Sequence, residues 1–349
     1  MSYQHDRRYA GELSQLFEVK EYEYTGGRAE GVRAVDIRNR AGVELQVLPG
    51  RCMDFGRFSY KGHSFQFITP AGMVNTKYYD NRGVEFLRSF NGGMLTTCGL
   101  TEIGSGGECN GEQLGLHGRI ANTPAEHFSC TVDTDGGAPS AELRGTMRQA
   151  VLFGERLTLT RKVTMGYDQK GFCFTDTVEN TGFLPSPFML LYHFNLGYPL
   201  VDEDARIYLP ASDTQPRTPH AAEGRDRWDV CEAPQNGYEE MCYLHTLKAD
   251  KNGRSAAALY NHRTGLGLVI RFDRLLLDRF VEWKQMGEGD YVIGLEPTNG
   301  FVDGRLAAMQ TNCLKHLEAG EKHSYTFELQ ILEGQAELDA LLHAYAEMK

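Results

Sequence analysis

The chain has 349 residues, with 36 Lys and Arg against 47 Asp and Glu, giving a formal net charge of −11. Hydrophobic residues make up 41 % and charged residues 24 %, the composition of a soluble globular protein that needs no disulfide staples at this length. The acidic balance argues against a phosphate-backbone binder, which carries a clustered basic face, so nucleic acid is not an expected partner.

The opening residues MSYQHDRRYAGEL contain no apolar core of a signal peptide and no small-residue cleavage site. The longest apolar stretch, residues 188–200, is interrupted by His193 and Asn195 and is too short to span a bilayer, so no membrane partner is expected. Eight cysteines, at positions 52, 98, 109, 130, 173, 231, 242 and 313, are scattered and never form C-x-x-C. Reduced thiols and a cytoplasmic location are the expectation.

In chain order, residues 1–32 read as an N-terminal extension, with a short helix around Arg8–Phe17. Alternating runs rich in Val, Ile, Thr, Phe and Tyr then predict strands at Arg33–Arg38, Val43–Leu48, Phe128–Thr134, Ala141–Arg148, Arg156–Met165 and Phe172–Glu179. Further strands are predicted at Phe188–Asn195, Ala256–His262, Gly267–Asp273, Tyr291–Glu296 and Tyr325–Leu332. Turn chemistry separates them at Asn91–Gly93, Asp135–Gly137, Asp168–Gly171 and Asn180–Gly182. Residues 215–235 are polar and rich in Pro and Gly, and read as a long excursion loop. At the end, Leu338, Leu341, Leu342 and Tyr345 recur at helical spacing and predict a packing helix over residues 335–348. No β-α-β rhythm appears, which leaves a single all-β domain over residues 1–349, built from two large stacked antiparallel sheets.

Phosphate-loop, dinucleotide-binding, H-E-x-x-H and G-x-S-x-G signatures are all missing. Three polar constellations stand out instead. His117 lies between Gly115 and Gly118, glycines that let a ligand or backbone approach its imidazole. His193 and Asn195 are two residues apart in the apolar run 189–196, and period 2 puts them on one strand face with Leu191. Glu296 ends the apolar run 291–295 and is held extended by Pro297. A carboxyl at the mouth of a buried strand has its pKa raised by desolvation, as a general base near neutral pH requires. Secondary candidates are Arg51 and Asp54, Arg88 and Asn91, Arg119, and the Trp283-Lys284 pair. Planar polar groups that bridge hydroxyls, beside aromatic rings that cover C–H faces, suit a sugar.

Taken together, His117-Gly118, Phe194-Asn195-Leu196 and Leu295-Glu296-Pro297 resemble, in order, the motifs of the aldose 1-epimerase (galactose mutarotase-like) superfamily. The segments LPGRCMDFG, LHGRIAN, YHFNLGYP and LEPTNG further resemble a bacterial branch of mutarotase-like proteins. The resemblance implies a β-supersandwich, a monosaccharide or sugar-derivative substrate, and interconversion of its anomers without cofactor or metal. It assigns the base to Glu296, the acid to a histidine on the F-N-L strand, and substrate polarisation to His117. That family's acid stands three residues before the Phe, where this chain has Leu191; His193 stands where the family has a tyrosine. Both positions share a strand face, roughly 6.5–7 Å apart.

His193 or His117 is therefore the expected acid, with Arg51, Asp54, Arg88, Asn91, Arg119, Asn195, Trp283 and Lys284 as candidates for sugar recognition. Three other readings stay open at this point. The same groups suit aldose–ketose isomerisation or carbon epimerisation; His117, His193 and Glu296 suit an N,N,O metal site; and the pocket suits a carbohydrate-binding protein without turnover. The sequence also leaves a homodimer open.

Overall fold

Alternating side chains carry most of this chain into strands, and every predicted strand forms, with ends shifted by a few residues. The computed structural model describes residues 2–135 and 137–349; Gly136, in the predicted Asp135–Gly137 turn, lies outside them. Strand Ser140–Ala150 shows the expected pattern, burying every second side chain along its length.

Five strands carry the site and are labelled here: β1 (Leu95–Leu100), β2 (Ser186–Gly197), β3 (Met241–Leu247), β4 (Arg279–Met286) and β5 (Tyr291–Thr298). They form the middle and one flank of a twelve-stranded sheet, in the order β1-β2-β5-β4-β3. Asp54–Tyr60, Val43–Leu48, Arg33–Arg38 and Glu18–Glu23 extend that sheet beyond β1, and Ala211–Pro216 closes it beyond β3. Glu18–Glu23, inside the predicted N-terminal extension, is thus an edge strand. Ahead of it, Gly11 and a capping box at Glu12 split the expected short helix into single turns, Arg7–Tyr9 and Leu13–Gln15.

An eight-stranded sheet stacks on the first, built from Glu126–Asp133, Ser140–Ala150, Arg156–Gly166, Gly171–Asn180, Lys322–Glu333, Leu266–Asp273, Arg254–Asn261 and Ala205–Tyr208. Neighbouring strands in both sheets are antiparallel. Aromatic rings fill the space between the sheets; Phe174 and Phe327 stack 4.7 Å apart and Phe55 meets Phe172 edge-on at 4.8 Å. Truncating one such ring to alanine costs about 3–5 kcal/mol. Through the same layer runs Arg161, fully buried and paired with Asp54 at 2.8 Å and Asp176 at 2.6 Å. Removing Arg161 would leave two buried carboxylates without their cation, at a cost of about 3–5 kcal/mol.

Two helices matter below: α1 (Gly304–Gln310) and α2 (Gln335–Ala346). As its periodicity predicts, α2 buries Leu338, Leu341 and Tyr345 against Ala256, Ala258 and Tyr260. All eight cysteines are unpaired. Among the described residues, no helix is long and apolar enough to cross a membrane.

Candidate active site

Strand alternation divides β2 cleanly. Leu190, Tyr192, Phe194 and Leu196 enter the core between the sheets, whereas Leu191 belongs to an apolar cluster on the opposite, outer face. His193 and Asn195 share that outer face with Leu191. The β2–β5 register pairs Leu191 with Thr298 and Phe194 with Leu295. The same register sets His193 directly across from Glu296. One strand further, Val281 lies opposite Glu296 and Trp283 opposite Gly294. A histidine, a carboxyl and an indole, far apart in sequence, thereby meet on one patch of sheet.

A cavity of about 220 Å³ covers this patch. His193, Glu296, Trp283, Val281 and Cys242 from the sheet face His117, Gly104 and Ser105 from the glycine-rich loop, with Phe86 and Phe90 closing one side. Arg217 and Glu240 complete the polar lining. His193 Nε2 lies 3.2 Å from Glu296 Oε1. The approach is not aligned as a hydrogen bond, which leaves Glu296 Oε1 buried without a partner, and the other ring nitrogen, His193 Nδ1, is also buried and unpartnered. Unpaired buried polar atoms are costly and are characteristic of sites that wait for a ligand. Phe90, His117 and Trp283 pack edge-on around the His193 ring at 5.6, 5.6 and 5.4 Å.

The loop geometry fixes His117 as tightly. Its backbone adopts φ 60°, in the left-handed region that non-glycine residues rarely occupy. Gly118 continues the turn at φ 72°, where a Cβ would lie 2.5 Å from the Gly99 carbonyl oxygen. The Gly104 amide donates to His117 Nδ1 at 3.3 Å. In the neutral ring the proton therefore sits on Nε2, leaving a donor there.

Burial sets the protonation of the three groups. It pushes the Glu296 carboxyl well above the usual carboxylate range, reinforced by Glu240 and opposed by Arg217. It drives His193 down to about 3, aided by His117, and His117 down to about 4, aided by Arg217. At neutral pH both rings are uncharged, and burial favours the protonated form of the Glu296 carboxyl beside them. The outer groups are pinned. Arg217 Nε donates to Asp303 Oδ1 at 3.0 Å, and Trp283 Nε1 donates to Glu240 Oε2 at 2.7 Å.

Of the residues singled out from sequence, His117, His193, Glu296 and Trp283 meet at this cavity. Asn195 lies beside it, its amide donating to the His193 and Gly93 carbonyls at 3.0 and 3.2 Å. The others are elsewhere. Arg51 is buried and donates to the carbonyls of Val74 and Ser89 and to Asn122, holding three loops together. Asp54 belongs to the Arg161 network and also accepts from Thr97. Lys284, one residue from Trp283, points to the opposite face and pairs with Glu232 at 2.7 Å. Arg88 is exposed and bound to Glu85 at 3.0 Å, Arg119 is exposed, and Asn91 is buried outside the cavity lining. Among the described residues, no three His, Cys, Asp or Glu side chains are placed to hold a metal ion.

The cavity residues that sequence reasoning missed are Ser105, Arg217, Glu240 and Cys242. Arg217 lies in the polar segment read as an excursion loop. That segment leaves strand Ala211–Pro216, forms a short helix at Pro219–Glu223, and brings Arg217 over the cavity.

Residues 29–331 match the family described as a domain of unknown function, DUF4432. A search of curated protein sequences gave no match. Among solved structures, a candidate aldose 1-epimerase from Klebsiella pneumoniae superposes with a TM-score of 0.91 at 24 % identity, covering 95 % of this chain and 88 % of that one. A galactose mutarotase-like protein from Clostridium acetobutylicum gives 0.62 at 15 % identity, over 91 % of this chain and 99 % of that one. Galactose 1-epimerase from Lactobacillus acidophilus gives 0.60 at 15 % identity, over 91 % of this chain and 100 % of that one. At these identities the likeness shows the fold, which is galactose mutarotase-like.

Proposed function

We propose that this chain, which belongs to the DUF4432 family, is an isomerase of the aldose 1-epimerase type acting on a monosaccharide or a close derivative. The observation that carries this reading is the Glu296–His193 contact of 3.2 Å on the floor of a cavity of about 220 Å³. A carboxyl and an imidazole that share one proton are the minimum needed to take a proton from one oxygen and give one to its neighbour.

In the free protein burial favours the proton on Glu296. A sugar hydroxyl donating to the carboxylate, with Arg217 close by, favours the charged form, and the proton passes to His193 as substrate binds. Glu296 then accepts the anomeric hydroxyl proton while His193 protonates the ring oxygen. The C1–O5 bond breaks and an open-chain aldehyde forms. Rotation about C1–C2 followed by the reverse transfers gives the other anomer and restores both groups. His117 Nε2–H donates to a sugar oxygen, Trp283 covers a C–H face, and Arg217 with Glu240 bridge hydroxyls at the rim. General acid–base groups of this kind contribute about 10²–10⁴-fold to rate.

Polarimetry on freshly dissolved single anomers tests the proposal across a panel of aldoses. Catalytic amounts of protein should speed equilibration for at least one sugar, and Glu296→Gln should remove the acceleration. Equal acceleration by wild type and Glu296→Gln would overturn the assignment.

A further inference from the structure

A larger cavity lies elsewhere. It is a groove of about 770 Å³ between the tip of the hairpin joining Ser140–Ala150 to Arg156–Gly166, the loop after Asn180, and helix α1. Around it the surface is unusually apolar for a soluble protein. At the hairpin tip Leu152 is 76 % and Phe153 95 % exposed, and across the groove Phe183 is 84 % and Leu184 76 % exposed. Phe153 is held at φ 65°, a left-handed conformation costly for an aromatic residue, yet its ring is almost wholly in solvent.

We infer that this face is the interface of a two-fold homodimer, in which the Leu152-Phe153 tip of each copy enters the groove of the other. Two observations favour a second copy over an unrelated partner, and a third shows that charge does not oppose it. First, projection and hollow lie on the same face, as an isologous contact requires; a foreign partner needs only one of them. Second, the area suffices. Phe153 and Phe183 alone expose on the order of 350 Å², and with Val151, Leu152 and Leu184 the patch passes roughly 600 Å², the upper range for monomers. Adding the groove's polar rim approaches the ~800 Å² per partner of a stable interface. Third, the rim is charge-balanced despite the net charge of −11. Arg156 neighbours Glu155, and Arg305 pairs with Glu112, so a rotated copy meets opposite charges as readily as like ones.

The groove and the candidate active site share a wall. Met309 of α1 lines the groove, while Asp303, just before α1, holds Arg217. The Arg305 amide at the start of α1 donates to Glu102 at 3.0 Å, two residues before the Gly104 that binds His117. A partner seated on α1 therefore braces the cavity from outside. The dimer itself does not depend on the sugar reading.

Light scattering on the eluting protein, over a hundredfold range of dilution, tests the inference. The wild type should run near twice 39.1 kDa, and Phe153→Asp and Phe183→Asp should each run as monomers. Both positions are in solvent in the isolated chain, so circular dichroism should be unchanged. Tyr9→Asp, at a residue 78 % exposed on the N-terminal turn, should stay dimeric. A monomeric wild type, a larger assembly, or a dimer that survives both substitutions would each overturn the inference.

Discussion

Glycine at position 294 makes the room in which the Glu296 carboxylate sits. A Cβ there would lie 2.6 Å from Glu296 Oε1 and 2.9 Å from Trp283 Cβ. Ordinary contact begins near 3.4 Å, so the carboxylate of a Gly294→Ala protein must retreat by about 0.8 Å. Gly294 is not in the left-handed region, so its φ admits alanine, but the adjacent strand must also give by about 0.5 Å at Trp283 Cβ. Through the unfolded chain the alanine contributes about 0.4–1 kcal/mol of stability, which offsets part of the local crowding. The perturbation is thus one of position. A displacement of about 1 Å at reacting atoms costs roughly 10²-fold in rate, and that loss is expected in kcat, with Tm changed by only a few degrees. The assay is anomer equilibration beside a thermal melt. A Gly294→Ala protein that keeps its rate within threefold, while Glu296→Gln is inactive, would refute the claim that carboxylate placement controls the chemistry.

Arg217→Ala should raise KM about tenfold, since a hydrogen bond to a charged group is worth about 1.5–3 kcal/mol, with kcat falling less; an unchanged KM would remove Arg217 from sugar binding. Trp283→Phe deletes the 2.7 Å bond to Glu240 and should raise KM several-fold without lowering Tm by more than a few degrees, as kinetics and a melt would show. Phe174→Ala should lose about 3–5 kcal/mol in urea unfolding, because the ring stacks on Phe327 in the inter-sheet core. The two buried histidines should contribute a stability that falls on acidification. His193 and His117 titrate at about 3 and 4 when folded, against about 6.5 when unfolded. Between those values these rings bind more protons in the unfolded chain, so their contribution to stability drops as pH falls from about 6.5 toward 4. The raised pKa values of Glu296, Glu102, Glu282 and Asp54 act oppositely, favouring the folded state at low pH, so the histidine contribution is read from the difference between wild type and variant. Melts between pH 7 and pH 5 on wild type and His193→Gln should show a smaller acid loss in the variant.

What was legible in the sequence follows from burial pattern. Strands with one face in the core, such as Ser140–Ala150, alternate and are read directly. β1 is buried along its whole length and carries Thr96, Thr97 and Gly99 among its apolar residues, so it shows no alternation, while β4 hides Glu282 and Lys284 in buried polar pairs that break the pattern. His193, His117 and Glu296 stood out because a polar residue in an apolar run needs a partner. Arg51 and Asp54 stood out for their place at a strand-turn junction, yet their partners are structural: loop carbonyls for one and Arg161 for the other. Lys284 was paired with Trp283 by adjacency, although neighbouring strand residues point to opposite faces. Arg217 and Glu240 carried no local signal, since only the course of a long loop brings them to the cavity.

The central claim is that Glu296 and His193 move protons between sugar oxygens and leave the carbon-bound hydrogens untouched. Proton exchange spectroscopy of a responsive sugar in D2O tests it most directly. The expected result is magnetisation transfer between α and β anomers that depends on the protein, retention of every C–H signal, and loss of transfer in Glu296→Gln. Deuterium appearing at carbon 2, or new sugar resonances, would contradict it and show proton abstraction from carbon instead.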